Sequence, residues 1–268
     1  DSIKVAVGSR FKPVHLVRNL YANEATPNIF TCTDKYHWAF GEGAIDQCRI
    51  NPKSCIQNQR IPLDDKLYFI ENSLKGYQIT ALSLIQIIHN VNISERITDE
   101  MKVVIAIPPS MTNREKSYLY SALTIAGINC IQFVTSTYAP IEVYVNEGKY
   151  GFTDNSAVLI DIGHEGVRVS AFEFDNSKIV QKFGLYNDNV GGKTIDNNLL
   201  NSIIQKYNIK LSNQYYSDQN GYNNDLEFQR NRFKLLAEIR KAREQLTVNT
   251  KATFDFQSKT ITLTRKDI

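Results

Sequence analysis

Apolar and polar positions alternate along the first half of the chain in blocks that predict an α/β protein. A short apolar run at 103–107, stopped by two prolines, predicts a buried strand, whereas spacings of three and four over 80–91 predict a helix. Gly127 is expected to end another helix in the left-handed conformation. Residues 34–76 are polar, contain glycines and prolines, and predict irregular structure. The expected strands are 3–8, 13–18, 28–33, 103–107 and 130–134, and the expected helices are 80–91, 113–126 and 139–145.

The second half of the chain repeats this order. Three consecutive strands are expected to form an antiparallel meander, followed by a helix, a polar loop, a long charged helix and a closing hairpin. The two halves begin with the same strand–strand–strand–helix order, which favours a duplicated fold. The expected strands are 158–161, 167–174, 179–185, 252–256 and 260–263, the helices are 195–206 and 225–246, and the loop is 211–224.

Composition and charge argue against a nucleic-acid-binding protein and against a membrane-spanning one. The chain has 268 residues with 42% hydrophobic and 22% charged positions, which is typical of a globular protein with a substantial core. The net charge of +3 comes from mixed basic and acidic residues, so no broad basic surface for nucleic acid is expected. The apolar stretch at 79–88 is too short to span a bilayer, and no charged-then-apolar leader is present.

Four cysteines leave the redox compartment open. Cys32, Cys48, Cys55 and Cys130 form no Cys-x-x-Cys pair, and no histidine lies at metal-ligand spacing. Free, buried thiols are the simplest interpretation. A disulfide between Cys48 and Cys55 is the alternative, and it requires an oxidising compartment.

The segment Asp161-Ile162-Gly163-His164-Glu165 offers the clearest candidate chemistry, because it follows an apolar run at 157–160. An Asp-x-Gly turn at a sheet edge places a carboxylate where it can hold a metal-bound water, and glycine N–H groups where they can cradle phosphate. The charge of Glu165 opposes an anionic ligand. We therefore expect a nucleotide-binding relative with weakened or absent chemistry.

Further motifs carry a resemblance to a known family. Ile-Ala-Ile-Pro-Pro-Ser-Met-Thr-Asn-Arg-Glu-Lys at 105–116, Leu-Thr-Ile-Ala-Gly-Ile-Asn at 123–129, Phe-Gly-Glu-Gly-Ala at 40–44 and Val-Gly-Gly-Lys-Thr-Ile-Asp at 190–196 resemble segments of the 70-kDa heat-shock protein superfamily. The similarity is to its nucleotide-binding domain. It implies the actin-like ATPase fold, built from duplicated ribonuclease-H-like lobes.

The resemblance also implies domain boundaries. Lobe I is expected over 1–150 with a peripheral subdomain at 28–76, and lobe II over 151–268 with a peripheral subdomain at 191–268. The chain begins just after the position of the family's first phosphate turn and stops inside the second lobe. The C-terminal part of lobe II, the peptide-binding domain and the lid are therefore expected to be missing.

Departures from the family pattern resemble its large, divergent branches. Asp-Ile-Gly-His at 161–164 is similar to the 110-kDa branch, and residues 1–7 are similar to the 170-kDa endoplasmic-reticulum branch. Members of these branches act mainly as nucleotide exchange factors for conventional 70-kDa chaperones and as holdases for unfolded clients. The implied compartment is the endoplasmic-reticulum lumen or the cytoplasm, with a lean to the former.

The catalytic positions of the family are altered here. Arg60 falls where the family has a catalytic lysine, and a planar guanidinium cannot replace a compact ammonium beside an attacking water. Ser136 falls where it has the catalytic glutamate, Gly166 where a phosphate-contacting threonine belongs, and Arg168 where a second aspartate belongs. Asp161 alone matches. It would hold Mg²⁺ through water, and Asp161 and Arg60 are predicted to be vestigial catalytic residues.

The cofactor positions are better retained. The helix predicted over 225–246 matches the family's adenosine-clamping helix, although the charges of Arg240 and Glu244 are swapped relative to it. A solvated helix face is the alternative for Arg240, Lys241, Arg243 and Glu244, and an exposed loop imidazole is expected for His164. The candidate cofactor-binding residues are Gly163, His164, Glu165, Gly166, Gly191, Gly192, Arg243 and Thr247.

These observations predict a non-catalytic chaperone or co-chaperone. ATP or ADP with Mg²⁺ is expected to bind weakly as a brace, or not at all in this fragment, and hydrolysis is expected to be lost. The expected partners are a conventional 70-kDa heat-shock chaperone and unfolded client proteins. Two alternatives stay open: an ATP-hydrolysing chaperone whose other motifs lie outside this chain, and an actin-like structural or assembly subunit.

Overall fold

The computed structural model describes residues 2–32, 37–57, 64, 67–68, 74–95, 101–146, 156–175, 178–187, 189–212 and 226–268, and every structural statement below concerns these residues. Helices and strands are interleaved along the chain, which confirms the predicted α/β class. The expected loop at 211–224 and the candidate residue Arg60 lie largely or wholly outside the described residues.

The helices of the described chain follow the predicted periodicity, with one addition. Their bounds are α1 (Glu42–Ile50), α2 (Gly76–Glu95), α3 (Asn113–Ile125), α4 (Tyr138–Asn146), α5 (Gly192–Lys206) and α6 (Leu226–Gln245). A short 3₁₀ helix covers Pro52–Ser54.

The strands are mostly paired in small antiparallel units. Their bounds are β1 (Ser2–Ile3), β2 (Ala6–Ser9), β3 (Lys12–Leu16), β4 (Thr26–Pro27), β5 (Ile29–Cys32), β6 (Trp38–Phe40), β7 (Cys55–Gln57), β8 (Leu67–Tyr68), β9 (Leu74–Lys75), β10 (Val103–Ile107), β11 (Cys130–Thr135), β12 (Ser156–Ile162), β13 (Val167–Asp175), β14 (Lys178–Asn187), β15 (Lys251–Phe256) and β16 (Lys259–Thr264).

The expectation of irregular structure over 34–76 was wrong for its described central part. Strand β5 pairs with both β6 and β7, and α1 packs on β5 and β6. The helix α1 buries only Ala44 and Cys48, which lie four residues apart, so its apolar stripe is too short to stand out in the sequence. A disulfide joins Cys48 of α1 to Cys55 of β7, with the two Cα atoms 5.6 Å apart.

The elements at 101–135 match the prediction closely. Strands β10 and β11 are parallel neighbours, joined through α3, as expected for a crossover connection. Thr112 caps α3 through a reciprocal capping box with Glu115. Gly127 has φ of +67°, which confirms the predicted left-handed stop.

The second half contains the three-stranded meander β12–β13–β14, as predicted, and a separate α-plus-hairpin unit. Helices α5 and α6 pack on each other, and α6 also packs on β15. Leu235, Ile239 and Ile261 are fully buried between these elements. This packing leaves the N-terminal end of α5 facing the β12–β13 turn, where the candidate site lies.

The two halves touch through α6. It contacts α1 and the 3₁₀ helix, and Nε of Arg230 donates a hydrogen bond to the carbonyl oxygen of Ile50. Among the helices that the structure describes, none is both long and apolar enough to cross a membrane.

Candidate functional site

The β12–β13 turn is a closed four-residue loop. The strands pair in register up to Ile162 opposite Val167, and the N–H of Gly163 donates to the carbonyl of Gly166 at 2.9 Å. The predicted Asp-x-Gly turn therefore exists. However, the N–H of Gly163, which was expected to cradle phosphate, is already bonded inside the turn.

The Asp161 carboxylate is bound by an arginine. The same register places Arg168 directly opposite Asp161, and its Nη1 donates to Oδ2 at 2.8 Å. The guanidinium also lies over the ring of Tyr186 on β14, 5.5 Å from the ring centre. The sequence contains a signal for this pair. In a hairpin with a four-residue loop, the second residue before the loop lies opposite the second residue after it, and here these two residues carry opposite charges.

The turn rests on the N-terminal end of α5. Backbone N–H groups of Gly192 and Lys193 donate to the carbonyls of Gly163 and His164, at 3.1 and 2.9 Å. An N-terminal helix end usually offers such N–H groups to anions, but here the protein's own carbonyls occupy them.

Gly191 permits this contact. A Cβ atom at Gly191 would lie 2.7 Å from the carbonyl oxygen of His164 and 2.8 Å from the nitrogen of Gly166, closer than real Cβ contacts. The helix begins at Gly192 rather than at the predicted residue 195. The paired glycines thus serve close packing between the turn and the helix.

His164 is not the exposed imidazole that the sequence predicted. Its side chain is 16% exposed, and its Nδ1 lies 4.0 Å from Oδ2 of Asp196. Burial lowers the pKa of His164 from 6.5 to about 4, and the Arg240 guanidinium acts in the same direction. The ring is therefore neutral at physiological pH.

Asp196 forms a buried ionic cluster that the sequence analysis missed. The side chain is 1% exposed and accepts hydrogen bonds from Nε of Arg240 at 3.0 Å and from Nε of Arg243 at 2.9 Å. A solvated helix face is thus wrong for these two arginines, although Lys241 and Glu244 are exposed. Arg243, the predicted adenosine-clamping residue, is engaged by this carboxylate.

The charge of Glu165 is offset within the site. Its Oε2 accepts a hydrogen bond from Nζ of Lys193 at 3.4 Å, and its backbone carbonyl accepts one from the Tyr186 hydroxyl at 3.4 Å. The repulsion of anions that the sequence suggested is consequently reduced. Lys193 had no assigned role in the sequence analysis.

A polar cleft of about 600 Å³ opens beside the turn. A nucleoside phosphate fits within this volume, which lies in the usual range for ligand sites. No aliphatic side chain contributes to its lining among the described residues, so binding would depend on polar contacts. The cleft is lined by Ser110, Glu165, Tyr186, Asn189, Lys193, Thr194 and Asn197.

Buried polar atoms without partners concentrate at the candidate positions. Those without a hydrogen bond include Nε of Arg168, Nε2 of His164 and Oε1 of Glu165, the last two 4.0 Å apart, and the hydroxyls of Ser136 and Thr137 after β11. Natural proteins leave few such groups unsatisfied unless water or a ligand serves them. This pattern supports a polar ligand or bound water at the site.

Thr247 makes its hydrogen bond at the end of α6 rather than at the turn. Its exposed hydroxyl, two residues beyond the last helical residue Gln245, donates to the carbonyl of Glu244 at 2.7 Å. The structure thus brings together Gly163, His164, Glu165, Gly166, Gly191 and Gly192. It does not engage Thr247 with them.

Magnesium does not fit the site. Mg²⁺ needs several oxygen ligands in octahedral geometry, and Asp161, the carboxylate predicted to hold it, is bonded to Arg168. Across the residues that the structure describes, no group of three or more His, Cys, Asp or Glu side chains is placed to hold a metal ion.

Comparisons with known proteins agree with the resemblance. A sequence model of the family described as Hsp70 protein matches residues 65–268. Heat shock protein 88 of Dictyostelium discoideum is 22% identical over 227 residues, covering 74% of this chain and 29% of that protein. The 97 kDa heat shock protein of Mesocentrotus franciscanus is 23% identical over 167 residues, covering 59% and 17%.

A further relative covers less of the chain. Heat shock 70 kDa protein 4 of Rattus norvegicus is 25% identical over 114 residues, covering 40% of this chain and 13% of that protein. The chain thus spans less than a third of the length of each of these relatives. The family match extends over most of the chain and includes the turn, α5 and α6, and it implies the actin-like ATPase fold and nucleotide binding. This protein belongs to the Hsp70 family and is related to its large heat-shock members.

Proposed function

We propose that this chain is the nucleotide-binding domain of a non-hydrolysing co-chaperone, which acts as a nucleotide exchange factor or holdase beside a conventional 70-kDa chaperone. The observation that carries this proposal is the 2.8 Å ion pair between Asp161 and Arg168. The only clearly retained catalytic carboxylate is committed to a side chain of the protein itself.

Loss of hydrolysis follows from what the reaction needs. Phosphoryl transfer to water depends on a positioned water, a metal and donors around the transferred phosphate. Here Ser136 stands at the position of the catalytic glutamate, and the N–H groups of Gly163, Gly192 and Lys193 are bonded to carbonyls of the turn. Losing these contributions together costs several kcal/mol of transition-state stabilisation, on the order of a thousandfold or more in rate.

Weakened nucleotide binding is compatible with the same geometry. The polar cleft beside Glu165 and Lys193 has the volume for a nucleoside phosphate, and the partnerless buried atoms of His164 and Arg168 call for a polar ligand or water. A nucleotide bound only to the folded state stabilises it by mass action. ATP or ADP would then act as a brace rather than a substrate.

The exchange role requires a two-lobed body that can clasp a partner chaperone. We propose that these lobes cover residues 1–150 and 151–268. The hydrophobic clusters support this division, because each cluster contains residues from one half of the chain. Unfolded clients are the second class of partner proposed.

The endoplasmic-reticulum lumen is the proposed compartment. The disulfide between Cys48 and Cys55 supports it, because such bonds persist in oxidising compartments and are rare in the cytosol.

Three assays on the same sample test the proposal: ATP turnover, ADP release from a partner chaperone, and suppression of client aggregation. We expect no ATP turnover above background, and faster release of labelled ADP from a conventional 70-kDa chaperone when the protein is added. ATP turnover that disappears in Asp161→Ala would contradict the loss of hydrolysis. An unchanged ADP release rate, together with no suppression of client aggregation, would contradict the co-chaperone role.

A further inference from the structure

We propose that Arg168 is the fixed cation of this site, so that the phosphates of an adenine nucleotide bind here without a divalent metal. The inference rests on the proposed function in one respect, namely that the ligand is a nucleotide. The exclusion of metal stands on geometry alone.

Three features fix the position of Arg168. Strand register sets it opposite Asp161, its Nη1 donates to that carboxylate at 2.8 Å, and its guanidinium lies over the Tyr186 ring. The side chain is only 18% exposed. An arginine held in this way is pre-organised, and little further conformational entropy is lost when an anion binds to it.

A metal ion would have to compete with this arginine. The pair of Asp161 and Arg168 carries no net charge, so a divalent cation gains little from the carboxylate and is repelled by the guanidinium a few ångströms away. Glu165 offers no replacement, because Lys193 pairs with it in the same manner. Asp161 and Glu165, the two acidic side chains at the turn, are thus both paired with cations of the protein.

The same cations retain capacity for an anion. A guanidinium carries five N–H donors, and the contact with Asp161 uses one of them, on Nη1. Arginine and lysine are the usual phosphate-binding side chains. Two of them, Arg168 and Lys193, flank the turn from β13 and α5, and Lys193 also lines the polar cleft.

This arrangement predicts an unusual sign for one substitution. In a metal-dependent site, removal of the aspartate that holds the metal weakens nucleotide binding. Here Asp161→Asn removes the competitor for the Arg168 guanidinium. We expect it to leave ADP affinity unchanged or to raise it severalfold, whereas Arg168→Gln lowers it by about tenfold.

The first arm of the test is calorimetric titration of ADP into the full chain, with Mg²⁺ and with chelator. We expect dissociation constants that agree within about twofold. ADP binding that is strengthened about tenfold or more by Mg²⁺ would overturn the inference while leaving a non-hydrolysing co-chaperone intact. Complete absence of ADP binding would overturn the claim that Arg168 binds phosphate. The ADP-release assay on the partner chaperone shows separately whether the co-chaperone role has also failed.

The second arm uses Mn²⁺ alone, followed by its electron paramagnetic resonance signal, and needs no nucleotide. Wild-type protein is expected to bind none at about 1 mM, whereas Arg168→Asp places two carboxylates face to face and gains a site. Lys182→Asp is the matched control, since it converts an exposed 2.8 Å pair with Glu173 in the same sheet. We expect Lys182→Asp to bind Mn²⁺ about tenfold more weakly than Arg168→Asp, because exposed carboxylates stay hydrated.

Each outcome of the second arm shows whether the site excludes a divalent metal ion. Mn²⁺ binding by the wild type, or equal binding by Arg168→Asp and Lys182→Asp, would overturn the role of Arg168. Circular dichroism melting identifies a variant that fails to fold. In that event the Arg168→Gln titration, with and without Mg²⁺, gives the decision instead.

Discussion

The buried carboxylate of Asp196 allows the sharpest prediction about stability. It joins α5 to α6 by accepting hydrogen bonds from Arg240 at 3.0 Å and from Arg243 at 2.9 Å, and it is 1% exposed. The substitution Asp196→Asn keeps the volume of the side chain and removes its charge. One of its two oxygens becomes an NH₂ group, which then faces a guanidinium that also can only donate.

The magnitude follows from these two hydrogen bonds. A hydrogen bond to a charged group contributes about 1.5–3 kcal/mol, and Asn retains one acceptor that can keep a weaker, uncharged version of one bond. Arg240 and Arg243 are 30% and 28% exposed, so water relieves part of their loss. We therefore expect Asp196→Asn to lower the free energy of unfolding by about 3 kcal/mol and Tm by roughly 6–12 °C.

Urea denaturation followed by circular dichroism measures this loss. The control is Glu238→Gln, which removes a 2.9 Å pair with Lys241 on the exposed side of the same helix, and its expected cost is below about 0.5 kcal/mol. A cost for Asp196→Asn below about 1 kcal/mol, or one equal to that of the control, would refute the reasoning. The two arginines would then contribute no more than a surface ion pair.

Three further predictions concern the turn and the disulfide. Gly191→Ala should cost about 2 kcal/mol of stability, because the new Cβ atom meets backbone at 2.7 Å. Gly43→Ala inside α1, where the Cβ contacts are no closer than 3.7 Å, should be neutral or stabilising. Thermal melting compares the two variants. The pKa of His164 is lowered in the folded state, so the contribution of His164 to stability is complete above pH 6.5 and is lost as the pH falls toward 4. The difference in unfolding free energy between wild type and His164→Gln should therefore shrink by about 2 kcal/mol over that window. Urea denaturation measures this difference. Reduction of the bond between Cys48 and Cys55 should cost about 2.5 kcal/mol, measured by melting with and without dithiothreitol.

Each of these predictions has an outcome that contradicts it. Equal melting temperatures for the two glycine variants would show that the turn does not press on α5. A parallel pH dependence for wild type and His164→Gln would mean that the imidazole titrates normally in the folded state. A melting temperature indifferent to reductant would indicate that the two thiols are not joined.

Sequence periodicity and turn chemistry were sufficient for most of the local structure. The strand at 103–107 and the helix stop at Gly127 were predicted correctly, because a proline boundary and a left-handed glycine act within a few residues. Helix α1 was missed, since its stability comes from packing on β5 and β6 and from the disulfide rather than from an apolar stripe. The domain boundaries and the site roles stay predictions.

The candidate site shows where sequence reasoning ends. The family positions of Asp161, Gly163 and Gly191 were predicted from motifs, and the loss of catalytic groups is likewise a prediction from the residue types. The partner of Asp161 depends on hairpin register, which a four-residue loop permits but does not impose. The pairing of Asp196 with two arginines depends on how α5 packs against α6, and no local pattern specifies that contact.

The amino-acid sequence by itself determined the α/β class and the family, because these depend on residue identity and short-range spacing. Tertiary structure alone decided which charges neutralise one another and which apolar side chains are covered. Val158 and Ile160, in the apolar run at 157–160, are 65% and 61% exposed, whereas Ala157 and Leu159 on the other face of β12 are half-buried. Ion pairing and burial are long-range outcomes, set by which surfaces meet after the chain has folded.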